Sequence, residues 1–165
     1  MKYELTNETK TINRVTLHRI KALKSFSKVK EGDLGGWIER ESNLSHEGNS
    51  WVFGDALVYG DARVFGDAQV FGDARVFGDA WVSGDARVYG DARVYGDARV
   101  FGDAQVFGDA RVFGDARVSG NTRVSGNTRV SGNTRVYGDA PTPNVTESDY
   151  VSIGGKKYRL VEVKD

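Results

Sequence analysis

The feature that most constrains this chain is a hexad of the form x-V-(F/Y/S)-G-(D/N)-(A/T), repeated without a break through its middle. Taking Val as the register mark, it recurs at Val52, Val58, Val64, Val70, Val76, Val82, Val88, Val94, Val100, Val106, Val112, Val118, Val124, Val130 and Val136. Two looser hexads precede these, marked by Ile38 and Leu44. The step from Leu44 to Val52 is eight residues, so His46-Glu47 reads as a two-residue bulge at a corner.

A period of six fits no α-helical heptad. Within each hexad, Ala or Thr, then any residue, then Val, is a period-two pattern that sends small and β-branched side chains to one face. Four extended residues and a two-residue corner make six. Gly before Asp or Asn supplies that corner, because Gly tolerates positive φ and Asx side chains bond nearby backbone. Three sides then close a triangular coil of 18 residues, and each strand pairs with its copy one coil on, about 4.8 Å away. Corners this tight do not suit an antiparallel meander. The segment Gln69 to Phe77 recurs at Gln105 to Phe113, an offset of two such coils. The expectation is an all-β fold, a parallel triangular solenoid.

The hexad V-F-G-D-A-R resembles the aliphatic-x-x-x-small-x pattern of hexapeptide-repeat proteins, and the resemblance covers roughly residues 37–140. It implies a left-handed parallel β-helix. The leader, Gly32 to Glu39 followed by Glu41-Ser42-Asn43-Leu44-Ser45, is also similar to the start of uncharacterised hexapeptide-repeat proteins of bacteria and their phages. That group carries polymer-forming or transferase-like labels.

Three segments follow: an N-terminal cap at 1–36, the repeat solenoid at 37–140, and a C-terminal cap at 141–165 that opens on the breaker Pro141-Thr142-Pro143. Tyr3 and Leu5, then Val15 and Leu17, alternate like strands. Val151, Ile153, Gly154-Gly155, Tyr158 and Leu160 read as a β-hairpin with a Gly-Gly turn. A solenoid has two open sheet edges, and these caps either block them or pair between subunits.

The outward positions flank Val and stack into columns. The first face carries Trp51, Gln69, Arg87, Gln105 and Arg123 beside Phe53, Phe71, Tyr89, Phe107 and Ser125. The second carries Leu57, Arg75, Arg93, Arg111 and Arg129 beside Tyr59, Phe77, Tyr95, Phe113 and Ser131. The third carries Arg63, Trp81, Arg99, Arg117 and Arg135 beside Phe65, Ser83, Phe101, Ser119 and Tyr137. Two readings stay open. Rings one coil apart stack, and Arg covers them with cation–π contacts worth about 0.5–1 kcal/mol each. Alternatively a face is an interface, because monomers rarely expose long apolar strips. The second face, with Arg75, Arg93 and Arg111 beside Phe77, Tyr95 and Phe113, is the most regular candidate.

The corner Asp files, such as Asp55, Asp73, Asp91 and Asp109, lack the spacing of calcium-binding nonapeptides, so bonds to local backbone and to neighbouring Arg are expected, with no metal. One coil differs: residues 119–136 read SGNTRV three times. From Ala116 to Gly138 the chain holds Arg117, Arg123, Arg129 and Arg135 and no acid, either a basic band for an anion or acidic partner or a polar stack of the kind Asn ladders form.

Lys plus Arg and Asp plus Glu stand at 23 each, so net charge is zero, which argues against a charge-driven nucleic-acid binder. With no Cys, disulfides and thiolate metal sites are excluded. No apolar run approaches membrane length and no signal-like segment follows Met1, so a cytoplasmic protein is expected, in the host cytoplasm if phage-encoded. Hexapeptide acyltransferases use a histidine near a coil corner, projecting loops and a C-terminal helix. Here only His18 and His46 exist, outside the uninterrupted coils, and no nucleotide, metalloprotease or nucleophile-elbow motif appears. The reading is a non-enzymatic structural or interaction solenoid that self-associates as a homo-oligomer and needs no cofactor. The alternatives are a phage or mobile-element binding protein that inhibits or sequesters a host protein or nucleotide, so that a host protein or an anionic small molecule is its partner, and last an acyltransferase.

Overall fold

The computed structural model describes residues 1–137, 150–153 and 156–159. The hexads wind into a parallel β-solenoid with three sheets, one per side. On the first side the rungs at Val52, Val70, Val88, Val106 and Val124 pair in sequence order. On the second run Val58, Val76, Val94, Val112 and Val130, and on the third Val64, Val82, Val100, Val118 and Val136. Each rung meets the residue 18 positions on, as Arg75 meets Arg93 and Val76 meets Val94. The backbone bonds repeat with the same step: Arg75 N donates to Ala92 O at 2.9 Å and Phe77 N to Val94 O at 3.0 Å.

The inward alternation explains the closure. The rung valines are 0–1% exposed, and the alanines from Ala56 to Ala116 are fully buried. Burying a Val is worth about 1.5–3 kcal/mol against exposure, while Ala fits where three sides converge. Regular pairing covers two residues of each hexad rather than the four extended residues that the repeat suggests. The Gly-Asp corners turn the chain so sharply that the remaining positions bend away from ideal strand geometry. Gly90 (φ +68°) shows what a corner demands: it is left-handed, and a Cβ there would meet Gly108 N of the next coil at 3.0 Å.

The bulge falls where the eight-residue step places it. Ile38 pairs with Val58 and Leu44 bridges to Val64, each 20 residues on, whereas Val52 pairs with Val70, 18 residues on. The two extra residues therefore enter between Leu44 and Val52.

At the N-terminal end β1 (Tyr3–Ile12) and β2 (Val15–Ala22) form an antiparallel hairpin, and β2 pairs with β3 (Leu34–Ile38). β3 in turn runs parallel to the rung Leu57–Val58, so the hairpin extends the sheet of the second face. Near the C-terminus, Tyr150–Ile153 and Lys156–Arg159 pair antiparallel in a sheet of their own, with Val151 opposite Tyr158. The Pro141-Thr142-Pro143 breaker, the Gly154-Gly155 turn and Leu160 lie outside the described residues.

Candidate functional site

Stacking one coil on another turns the outward positions into files, in the columns the hexad register sets out. On the second face the rings of Tyr59, Phe77, Tyr95 and Phe113 stack at centroid separations of 5.1, 4.9 and 5.0 Å with planes within 3°. On the first face Phe71, Tyr89 and Phe107 stack at 4.7 and 4.9 Å, and the Tyr89 hydroxyl donates to Gln105 Oε1 at 3.2 Å. Burial raises the Tyr59 phenol pKa against the opposing pull of Arg75 and Arg93. Arg75, Arg93 and Arg111 lie half-buried beside this ladder. Among the described residues, however, the cation–π contacts go to Phe26, Trp37 and Trp81, not to the ladder rings. Rings that stack face to face along a column offer a cation only their edges.

The second face is also partly occupied by its own chain. Leu17, Trp37 and Leu57 form a buried cluster against which Ile12, Val15 and Tyr59 pack. Lys10 and Arg19 sit over the Trp37 ring at 5.4 and 5.6 Å. Side chains of the hairpin therefore cover the N-terminal end of this face.

The third face is different. Trp81 replaces Arg in its file and is held between Arg63 and Arg99, whose guanidinium carbons lie 6.0 and 4.8 Å from the indole centroid. Its hexad has Ser83 where others carry a ring, and Phe65 meets the indole edge-on at 5.9 Å. Beside this file runs the corner file of Asp61, Asp79 and Asp97, and the two bound an open groove of about 280 Å³. Trp81 is 37% exposed and Phe101 39%, the two large apolar side chains of Trp51–Val136 that are most open to solvent. Among the described residues Asp79, Asp97, Arg63 and Arg99 make no ion pair, while Asp61 lies 3.4 Å from Arg40.

Elsewhere the corner acids bond as their position suggests only in part: Asp67 Oδ1 accepts from Asn49 N at 2.9 Å. Among the described residues no three His, Asp or Glu side chains converge in a metal-holding group. Arg117, Arg123, Arg129 and Arg135 are all exposed but are not gathered together. Arg117 and Arg135 stack in register on the third face, Arg123 is on the first and Arg129 on the second. The acid-free coil is a basic ring around the rod rather than one pocket. Thr122, Thr128 and Thr134 point inward and satisfy their hydroxyls on their own corners, donating to the carbonyls of Ser119, Ser125 and Ser131 at 2.6 Å.

The residues that sequence reasoning misses lie at the bulge. Lys2 is 1% exposed, and its Nζ donates to Ser50 O at 2.7 Å and Ser50 Oγ at 3.2 Å, with the Gly48 carbonyl at 3.4 Å. Burial, aided by Lys24, lowers its pKa to about 8. The Lys2 backbone N–H donates to His46 Nδ1 at 3.2 Å, so the imidazole proton sits on Nε2, a buried atom with no partner. Tyr3 stacks on His46 at 4.3 Å, and its hydroxyl reaches the Leu44 carbonyl at 2.7 Å. Burial holds the His46 pKa below its usual value. His46 thus locks the cap onto the first coil. His18 lies in β2, with Nδ1 3.3 Å from the Thr6 carbonyl.

A family model described as "YdcK Beta solenoid repeat" matches residues 68–84, 86–102, 92–108, 104–120, 110–126 and 116–132. A 60-residue stretch is 38% identical to "Uncharacterized acetyltransferase YdcK" of Escherichia coli (strain K12). That stretch covers 32% of this chain and 18% of the length of that relative. Repeat, register and matched model agree: the chain is a hexapeptide-repeat β-solenoid protein.

Proposed function

We propose that this chain is a non-enzymatic interaction module, a stiff rod that associates with copies of itself through its flat sides. The observation that carries the reading is the unbroken 18-residue register from Val52 to Val136. It makes each side a continuous surface with a fixed pitch. Such a surface suits a partner of the same pitch better than it suits a small substrate, which needs a concave and mostly enclosed site. The groove on the third face is open, and both histidines are engaged in the N-terminal cap.

Light scattering on the eluting protein tests the reading. A mass of two or more chains supports it, and one chain at high concentration overturns it. The relative's name supplies a competing reading as an acetyltransferase. Stabilisation by acetyl-coenzyme A in a thermal-shift assay, together with a monomeric mass, would favour that reading. A binding role toward a host protein or an anionic small molecule draws on the exposed Arg117 and Arg135 pair beside the acid-free coil. Stabilisation by a nucleotide panel, lost in an Arg117→Ala variant, would favour it. No helix among the described residues is long and apolar enough to cross a membrane.

A further inference from the structure

We infer that the third face is a self-complementary interface, on which a second copy of this chain docks with its solenoid axis parallel. The inference rests on the self-association proposed above and adds which face is used and in which orientation.

Exposure singles out the face. The first and second faces spend their ring faces on one another in stacks, and the hairpin already covers one end of the second. On the third, Ser83 and Ser119 interrupt the aromatic file, and the groove between Trp81 and the Asp file stands open. Its Arg63, Arg99, Arg117 and Arg135 are exposed, where Arg75, Arg93 and Arg111 of the second face are half-buried; Arg87 and Arg123 of the first face are exposed too, but beside stacked rings rather than an open groove.

Charge selects the partner's orientation. Along the third face an acidic file of Asp79, Asp97 and Asp115 runs beside a file in which Arg99 and Arg117 stand two residues after Asp97 and Asp115, and the groove is lined by Asp79, Asp97 and Arg99 of these. Consider a twofold axis parallel to the rod and lying in the groove. It carries the acidic file of one copy onto the basic file of the other, so that Asp97 faces the partner's Arg99, and Arg99 the partner's Asp97, with the same exchange between positions 115 and 117. Trp81 then faces the partner's Asp79, whose carboxylate can accept its indole N–H. A twofold axis across the rod instead sets acid on acid and base on base, which like-charge repulsion opposes.

Pitch selects the partner's kind. The files repeat every coil, about 4.8 Å, whereas an extended peptide laid along the groove advances about 3.3 Å per residue and falls out of step. A second solenoid keeps step at every coil, and an isologous pair doubles each contact.

Sedimentation equilibrium on the full chain tests this with charge reversals at two exposed positions. Asp97→Arg alone, or Arg99→Asp alone, should weaken the association about tenfold or more, because each turns two symmetry-related attractions into repulsions. The double reversal should restore it, and Asp91→Arg at another corner should leave it unchanged. Should a reversal fail to fold, Asp97→Asn combined with Arg99→Gln removes both charges and should still weaken association. If the wild type associates but no third-face variant changes its affinity, the interface lies elsewhere and the assignment falls while self-association stands. Tighter association of Asp97→Arg would overturn the parallel orientation, and a monomeric wild type would overturn both readings.

Discussion

Replacing one glycine by alanine at each of two corners separates the two demands that a coil corner makes. Gly54 and Gly90 share a left-handed backbone, with φ of +58° and +68°. They differ in surroundings: a Cβ at Gly54 meets nothing within 4 Å, whereas at Gly90 it lies 3.0 Å from Gly108 N and 3.4 Å from Gly108 Cα and O. The left-handed conformation costs an alanine about 1–2 kcal/mol, partly offset by about 0.4–1 kcal/mol of reduced freedom in the unfolded chain. Gly54→Ala should therefore lose about 0.5–1 kcal/mol. Gly90→Ala adds an overpacked contact against the Gly108 backbone, and Gly90 cannot swing away freely because its own carbonyl accepts from Asp73 N at 3.0 Å. Overpacking adds about 1–3 kcal/mol, so the total should reach about 1.5–4 kcal/mol. Urea titration followed by circular dichroism reads both variants against the wild type. Equal losses at the two sites would refute the claim that coils stack corner on corner at van der Waals distance. A harmless Gly90→Ala would refute the left-handed corner as well.

Two further substitutions test the core and the cap. Ala92→Leu places three extra carbons where three sides converge around a fully buried position, and should lower the melting temperature, whereas an unchanged or raised value would refute the inward assignment. At the cap, Lys2 has its folded-state pKa lowered from 10.5 to about 8, so the folded state carries the penalty of a buried charge at pH below 8. Stability should then rise with pH between about 8 and 10.5, as the folded state releases its proton before the unfolded state does. Lys2→Met should abolish that part of the rise in chemical denaturation across this range, and a wild-type profile in the variant would contradict the assignment.

The solenoid is legible in the sequence because its determinants are local and repeated. One hexad carries the inward Val, the small residue and the corner glycine, and repetition fixes the coil length and which outward residues share a file. The step from Leu44 to Val52 likewise marks the bulge. What the bulge holds is not legible, because Lys2 and Tyr3 reach Ser50 and His46 across more than 40 residues of chain, and a Lys near a terminus reads as a solvated charge. Asn43 is hidden for the same reason: its amide donates to the Gly60 and Ala62 carbonyls of the next coil. The regular second face draws attention in the sequence, yet regularity is what lets its rings satisfy one another. The third-face groove arises from an irregular hexad, W-V-S at Trp81 to Ser83. A large ring in the Arg file beside a missing ring in the aromatic file was the available signal. Only the coil shows Arg63 and Arg99 closing on that indole.

Self-association through the third face is most directly tested by acrylamide quenching of tryptophan fluorescence as protein concentration rises. Trp37 and Trp51 are 7% and 1% exposed, so Trp81, at 37%, carries most of the quenchable signal. The account predicts that quenching falls as the chain associates, and that a Trp81→Phe variant shows no such concentration dependence. Quenching that stays constant while scattering shows oligomers forming would contradict it.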